Sequence, residues 1–433
     1  MGRRTTVKYF YTASLVLCVP ACTTAAPASV PPSDASPDTA ATLDAAADAQ
    51  PDAPRCEASS TQPAPRGDSA GVVDPTSGRL YVFGGDTGPV VRCIPAPAFN
   101  AETWRYDPTC DRWDAVTGDA HPSPRSRMAW ALDTRRRRMV VFGGRFRQGT
   151  TGSYTLYNDV WAFDLATETW EAITPEGELP AARSNATAVY DPESDSLVLF
   201  GGNTSVSGLT FTPRNDTWAL DLAQRTWRRV ATTGAAPTAR LFHSAALVGR
   251  AMLVYGGGGA NAFVGPFMGD LWRLDLASRV WSEVSVTGDT EGLARRINPA
   301  LAPAPGGGLT LVAGHDDGAL GNRNDVVALT ADGVARVLRP GDRLVQAGNG
   351  FCDFPANFTA PDMDGPERRS AFVFAHDPMR NRALVYGGKT DCGLAGDVWA
   401  IDLGTGAWSP QRATSDGLSC VRAGRTGCSA LCQ

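Results

Sequence analysis

From residue 66 onward, short apolar runs alternate with clusters of Asp, Gly, Pro and Asn, and the alternation itself recurs. The runs, such as MAWALD and RMVVF within residues 128–142, have the length of strands and are too short for helices. Each unit opens with an Arg before an extended run, turns, and enters a second run that closes with an aromatic residue and two glycines. A loop of variable length follows, then a run carrying Asp-x-Trp, a tight turn, and a last run whose Trp lies nine residues after the first. Four strands per unit, a to d, are predicted. The glycine pairs are Gly84 and Gly85, Gly143 and Gly144, Gly201 and Gly202, Gly256 and Gly257, and Gly387 and Gly388. Their first members are spaced 59, 58 and 55 residues, then 57 to Ala313 in a weaker copy, then 74 to Gly387.

Six registered units of four short strands predict an all-β, six-bladed β-propeller with antiparallel strands in each blade. The blades are expected at about 66–118, 119–176, 177–233, 234–287, 288–340 and 365–412, within a domain spanning 61–412. Ten of the eleven tryptophans fall on the two repeat positions, the second of each pair being Trp113, Trp170, Trp227, Trp281 and Trp408. Chemistry has no use for ten indoles in register, whereas packing between neighbouring sheets does. The glycines meet backbone needs where a strand end approaches its neighbour. Unit five departs from the pattern, with Ala313-Gly314 for the glycine pair and Val327 where Trp is expected. The aromatic with its double glycine, the Asp-x-Trp and the second Trp together resemble the kelch repeat, over nearly all of the chain after residue 65.

Strand alternation places the b–c loops, the links between units and the start of strand a on one face, and only tight turns on the other. The loop-rich face carries RFRQGTTGSYTLY (145–157), NTSVSGLTFTPR (203–214) and GGANAFVGPFMG (258–269), whose Arg, aromatic, Gly and Ser content suits recognition. At the start of strand a stand Arg66, Arg125, Arg183, Arg240, Arg296 and Arg369, a uniform set read as structural. Two residues on, hence on the same side of an extended strand, stand Asp68, Arg127, Asn185, Phe242, Asn298 and Ala371, a varied set expected to line the mouth of a central channel. With them, Arg145, Arg147, Tyr154, Tyr157, Phe211 and Phe263 on the loops are candidate ligand-binding residues. The kelch resemblance implies that a basic residue at the position of Arg127 contacts an acidic partner.

The 433 residues carry a net charge of −5, and Lys8 and Lys389 are the only lysines, so no basic surface for nucleic acid is expected. Arg3, Arg4 and Lys8 precede a short apolar stretch, the layout of a signal peptide over 1–21. Val19-Pro20-Ala21-Cys22 resembles a bacterial lipobox in which Cys22 is acylated, and cleavage after Ala28 is the simpler alternative. Both export the chain, to the bacterial cell envelope as an outer-membrane or periplasmic lipoprotein, or outside the cell. Residues 22–60, rich in Ala, Pro, Ser, Thr and Asp, have little to bury and read as a disordered tether reaching on the order of 35 Å. The membrane is expected to be touched only through the lipid, and the protein to be a monomer.

Beyond Cys18 and Cys22, eight cysteines remain, an even set that reads as disulfides in an exported protein. Cys352 and Cys392 both fall on the loop-rich face and are the favoured pair. A bond from Cys56 or Cys93 to the cysteines of the 413–433 tail would close the ring, because both ends of the chain contribute complete blades.

Four histidines are scattered, and no nucleophile, metal or phosphate-loop motif occurs. His376 reads as a solvated turn residue. His315 with Asp316 and Asp317 lacks a spaced ligand set, so no metal and no cofactor is expected. Kelch-like propellers include two enzyme types: copper radical oxidases of the galactose oxidase kind, for which Tyr154, Tyr157 and His315 make no matching constellation, and sialic-acid mutarotases, the principal alternative. The reading favoured is a non-catalytic module that binds a protein or a glycan.

Overall fold

The computed structural model of the chain describes residues 56, 61–88, 90–91, 94–316, 321–345, 359–390 and 393–413. The signal segment, Cys22, Cys352, Cys392 and all but the first residue of the 413–433 tail lie outside them, as does the tether apart from Cys56. Nearly every regular element is a strand. In the first set Ala70–Val73 pairs antiparallel with Leu80–Phe83, which pairs with Thr103–Asp107, which pairs with Arg112–Val116. The same order recurs in sets led by Ala129–Asp133, Thr187–Asp191, Ser244–Val248, Ala300–Ala304 and Val373–Asp377. Five sets are the bodies of separate sheets, and the set led by Ala300–Ala304 is embedded in a nine-stranded sheet.

Apolar side chains are buried between consecutive sets, from first with second through to fifth with sixth. The cycle then closes, since Leu80, Tyr106 and Trp113 of the first set share a core with Val373, Leu384 and Tyr386 of the sixth. This closed cycle is a β-propeller. Trp113, Trp227 and Trp281 are fully buried in these inter-sheet cores, Trp170 is nearly so and Trp408 is half-buried. Trp113 spans the seam, 5.0 Å from Tyr106 and 4.9 Å from Tyr386. Each buried indole is worth roughly 4–6 kcal/mol of apolar burial at most.

The repeated Arg acts inside its own blade. Arg125 donates to the Gly143 carbonyl (3.1 Å) and grips both carboxylate oxygens of Asp159 at 2.6 and 2.9 Å. The same carboxylate accepts the Trp161 indole N–H at 3.0 Å. Arg183 with Asp216, Arg240 with Asp270, Arg296 with Asp325 and Arg369 with Asp397 repeat the grip, while Arg66 uses Glu102. The glycine pair then couples blades: Gly144 N–H donates to the Arg183 carbonyl at 2.9 Å, and a Cβ on Gly143 would stand 2.7 Å from that oxygen.

Four expectations are corrected. The third and fourth sheets, and the fifth set, each carry an additional two-residue strand, Glu176–Gly177, Thr233–Gly234 and Thr287–Gly288, paired parallel to the outermost strand. The link between blades is long enough to lie along the outer edge before descending. Cys56 is bonded to Cys110, so it cannot reach the tail. The turn holding Cys110 also holds Asp111, which pairs with Arg412 of the last strand at 3.0 Å, and Arg412 Nε donates to Gln62 at 2.8 Å. The seam is therefore clasped by a strap tied to blade one. His376 lies within the strand Val373–Asp377 and is not a turn residue, and its burial lowers its pKa. Finally, the six varied residues after the repeated Arg are left-handed and not extended.

Candidate ligand-binding site

Asp68, Arg127, Asn185, Phe242, Asn298 and Ala371 have φ values of 58°, 57°, 57°, 58°, 47° and 54°. Two-residue alternation holds only for an extended chain, so it does not place these side chains. Left-handed geometry does, at roughly 1 kcal/mol for each non-glycine residue. It turns the repeated Arg outward into its blade and the varied residue toward the axis. Backbone bonds tie neighbouring members together: Arg127 N–H to Asp68 O at 3.0 Å, Asn185 to Arg127 at 2.9 Å, Asn298 to Phe242 at 2.7 Å, and Asp68 to Ala371 at 2.7 Å. All six line a central cavity of ≈190 Å³, whose walls are completed by Ser69 and by the first residues of the inner strands of the second to sixth sets.

The charge at this mouth is uneven. Asp68 is buried and binds Arg127 Nε at 3.1 Å and Lys389 Nζ at 2.6 Å. Burial alone would raise its pKa, but the charges of Arg127, Lys389 and Arg145 prevail and hold it far below the ordinary carboxylate range. Arg127 stacks over the Phe242 ring at 4.9 Å, and its Nη1 is buried without a hydrogen-bond partner. Arg145 is 6% exposed and stacks on Tyr154 at 4.1 Å, while Arg147 stacks on the same ring at 4.4 Å. Among the described residues no carboxylate lies within ion-pair distance of Arg145, and its Nε is buried without a partner. Burial, and then the like charge of Arg127, push its pKa down to about 9. Arg127, Arg145 and Lys389 thus share the charge of Asp68, while Asp86, whose charge also reaches Arg145, accepts the Gly88 and Ala98 N–H groups at 3.0 and 2.8 Å.

Asn185 donates to Ser184 Oγ at 3.1 Å, and Phe211, Phe242 and Phe263 form one aromatic cluster with centroid separations of 5.0–5.7 Å. Tyr157 is placed apart, its ring against Arg125 at 4.0 Å. His315 packs beside Phe267, and Asp316 is held by Arg323 at 2.8 Å. His243, in the channel wall, has Nε2 2.9 Å from Thr187 Oγ1, and burial followed by the Arg240 charge pushes its pKa down to about 3. Lys389 and Asp86 escaped the sequence reading although a signal existed. Both occupy the position directly after a glycine pair, as Arg145 does, and that position varies from blade to blade like the mouth residues: Asp86, Arg145, Asn203, Gly258 and Lys389. Bridges tie it to the start of strand a, as Ser126 to Arg145 and Ser370 to Lys389.

The blades close into a ring with a varied, charged mouth at its axis, and similarity to known proteins supplies the family. A family model described as the KLHDC2/KLHL20/DRC7 Kelch-repeats domain matches residues 49–180 and 149–332. The chain belongs to the kelch-repeat family. It is 30% identical over 193 residues to acyl-CoA-binding domain-containing protein 4 of Arabidopsis thaliana, covering 44% of this chain and 26% of that protein. It is 29% identical over 190 residues to host cell factor 1 of Rattus norvegicus, covering 41% and 9%. To dynein regulatory complex subunit 7 of Chlamydomonas reinhardtii it is 35% identical over 119 residues, covering 28% and 10%. The chain thus spans about a quarter or less of the length of these relatives. The solved structure of YjhT superposes with a TM-score of 0.56 at 13% identity, over 80% of this chain and 98% of that one, a likeness of fold.

Proposed function

We propose that this protein is a binding module, exported and held at the bacterial envelope by a lipid on Cys22, that recognises a protein or glycan through the loop-rich face of its propeller. The ligand presents an acidic group to the mouth. The observation that carries this reading is Arg145, a buried guanidinium with no carboxylate partner among the described residues, beside an Arg127 whose Nη1 is also unused. A carboxylate seated between them would accept from both and neutralise the surplus, and charge-assisted bonds in so enclosed a place are strong. The kelch-type relatives named above are consistent with a role in assembly. A glycan array and pull-down from envelope extracts, run with the intact chain and with Arg145→Gln, test it. Ligands lost with the variant support the reading. Ligands indifferent to it, or robust sugar oxidation or anomerisation by the protein, overturn it.

A further inference from the structure

Beside the cationic mouth stands an apolar shelf that the anion reading does not use. Leu209 and Val264 are each 86% exposed, Val206 is 48% exposed and Phe263 37%, all on the loops of the third and fourth blades. Apolar tips grouped on one face mark contact surfaces, since each exposed side chain costs hydration free energy that a partner recovers. The tips are held in place. Ser207 Oγ accepts the Leu209 and Thr210 N–H groups, both at 3.1 Å, and the Asn261 carbonyl accepts from Val264 at 2.8 Å and Gly265 at 3.0 Å. Phe211, Phe242 and Phe267 form a buried apolar floor beneath.

Shelf and mouth are continuous. Tyr154, on which Arg145 stacks, donates its N–H to the Val206 carbonyl at 2.8 Å, and a Cβ at Gly208 would meet the Tyr154 ring at 3.1 Å. From the other side, Phe263 touches Phe242, over which Arg127 lies. We infer that the occupant of this face is an extended polypeptide segment in which an acidic residue, seated at Arg127 and Arg145, is followed or preceded within three residues by an apolar side chain resting on Leu209, Phe263 and Val264. The inference rests on the anion reading and narrows its ligand to a peptide. An extended chain advances about 3.3 Å per residue and puts alternate side chains on one side, so residues two apart span about 7 Å along one face. Aliphatic tips offer sugar hydroxyls no hydrogen-bonding partner, whereas they suit a Leu, Ile or Phe side chain.

The test is panning of a phage-displayed random dodecapeptide library on the full chain, followed by affinity measurement on the enriched peptides. Expected are sequences pairing Asp or Glu with a large apolar residue, bound about tenfold or more weakly by the double variant Leu209→Ser, Val264→Ser. Neutral replacements keep electrostatics constant, and these exposed sites leave the melting temperature unchanged. Acidic peptides with no apolar requirement, or indifferent to the double variant, overturn the shelf while leaving the anion site standing. Enriched peptides insensitive to Arg145→Gln sink the anion reading itself. Absence of any peptide, with binding of acidic glycans instead, overturns the inference in favour of a sugar ligand.

Discussion

Arg183 and Arg145 are the same residue type, buried to nearly the same degree, and the protein treats them in opposite ways. Arg183, 1% exposed, bonds the Gly201 carbonyl and both oxygens of Asp216, whose remaining needs are met by the Trp218 indole. Arg145 has an aromatic face to lie on and no carboxylate within ion-pair distance among the described residues, only the more distant charges of Asp68 and Asp86. A buried cation without a directly paired carboxylate is unfavourable to fold around, so a position that keeps one serves something other than the fold. The blade interior is a closed electrostatic unit, and the mouth is an open one.

Four measurements test whether blade interior and mouth differ in this way. The largest effect is expected for Arg183→Ala, which strands the Asp216 carboxylate in the blade: denaturant unfolding should show a loss of about 3–5 kcal/mol. Next, reduction of Cys56–Cys110, or Cys110→Ser, releases a covalent loop of 54 residues and with it the strap against which Arg412 is held. A loss of roughly 2–4 kcal/mol should appear in the same assay, and no loss would mean that the side-chain clasp suffices alone. Third is pH. His243 titrates in the unfolded chain near 6.5 and in the folded protein at about 3, so the unfolded state binds the extra proton between these values. Stability is therefore full above pH 6.5 and declines as pH falls toward 3, with Asp216, Asp270 and Asp325, held below their ordinary range by their arginines against burial, adding losses below about pH 4. His243→Gln should flatten the part between pH 6.5 and 4.5 in a melting series; an unchanged slope would assign it elsewhere. Smallest is Arg145→Met, expected to leave stability unchanged or raise it by up to about 2 kcal/mol while abolishing ligand capture. Destabilisation as large as that of Arg183→Ala would erase the distinction between blade and mouth.

Repetition made some of this legible and hid the rest. Gly143, Gly144, Trp170 and Arg125 could be recognised because each has several counterparts in register, and a feature required by every blade must be written into every blade. Arg127 stood out as a variable position inside an otherwise uniform frame. Lys389 and Asp86 did not, because the register that groups them with Arg145 follows the glycine pair and not the strand start. Reading Asp68 to Ala371 as extended chain failed for a local reason, a left-handed turn that alternation cannot detect. Cys56 was misassigned because its separation from Cys110 carries no information on where a blade turn meets the strap.

What the amino-acid order determined unaided is the unit: four strands, their turns, and the Trp and Gly positions, all governed by contacts within some 60 residues and therefore recurrent. What only the folded ring decided is charge balance at its centre. There, side chains from the first, second and sixth blades, up to 321 residues apart, share one desolvated space. Whether a cation is neutralised in that space depends on distances that closure of the circle sets and that no single repeat contains.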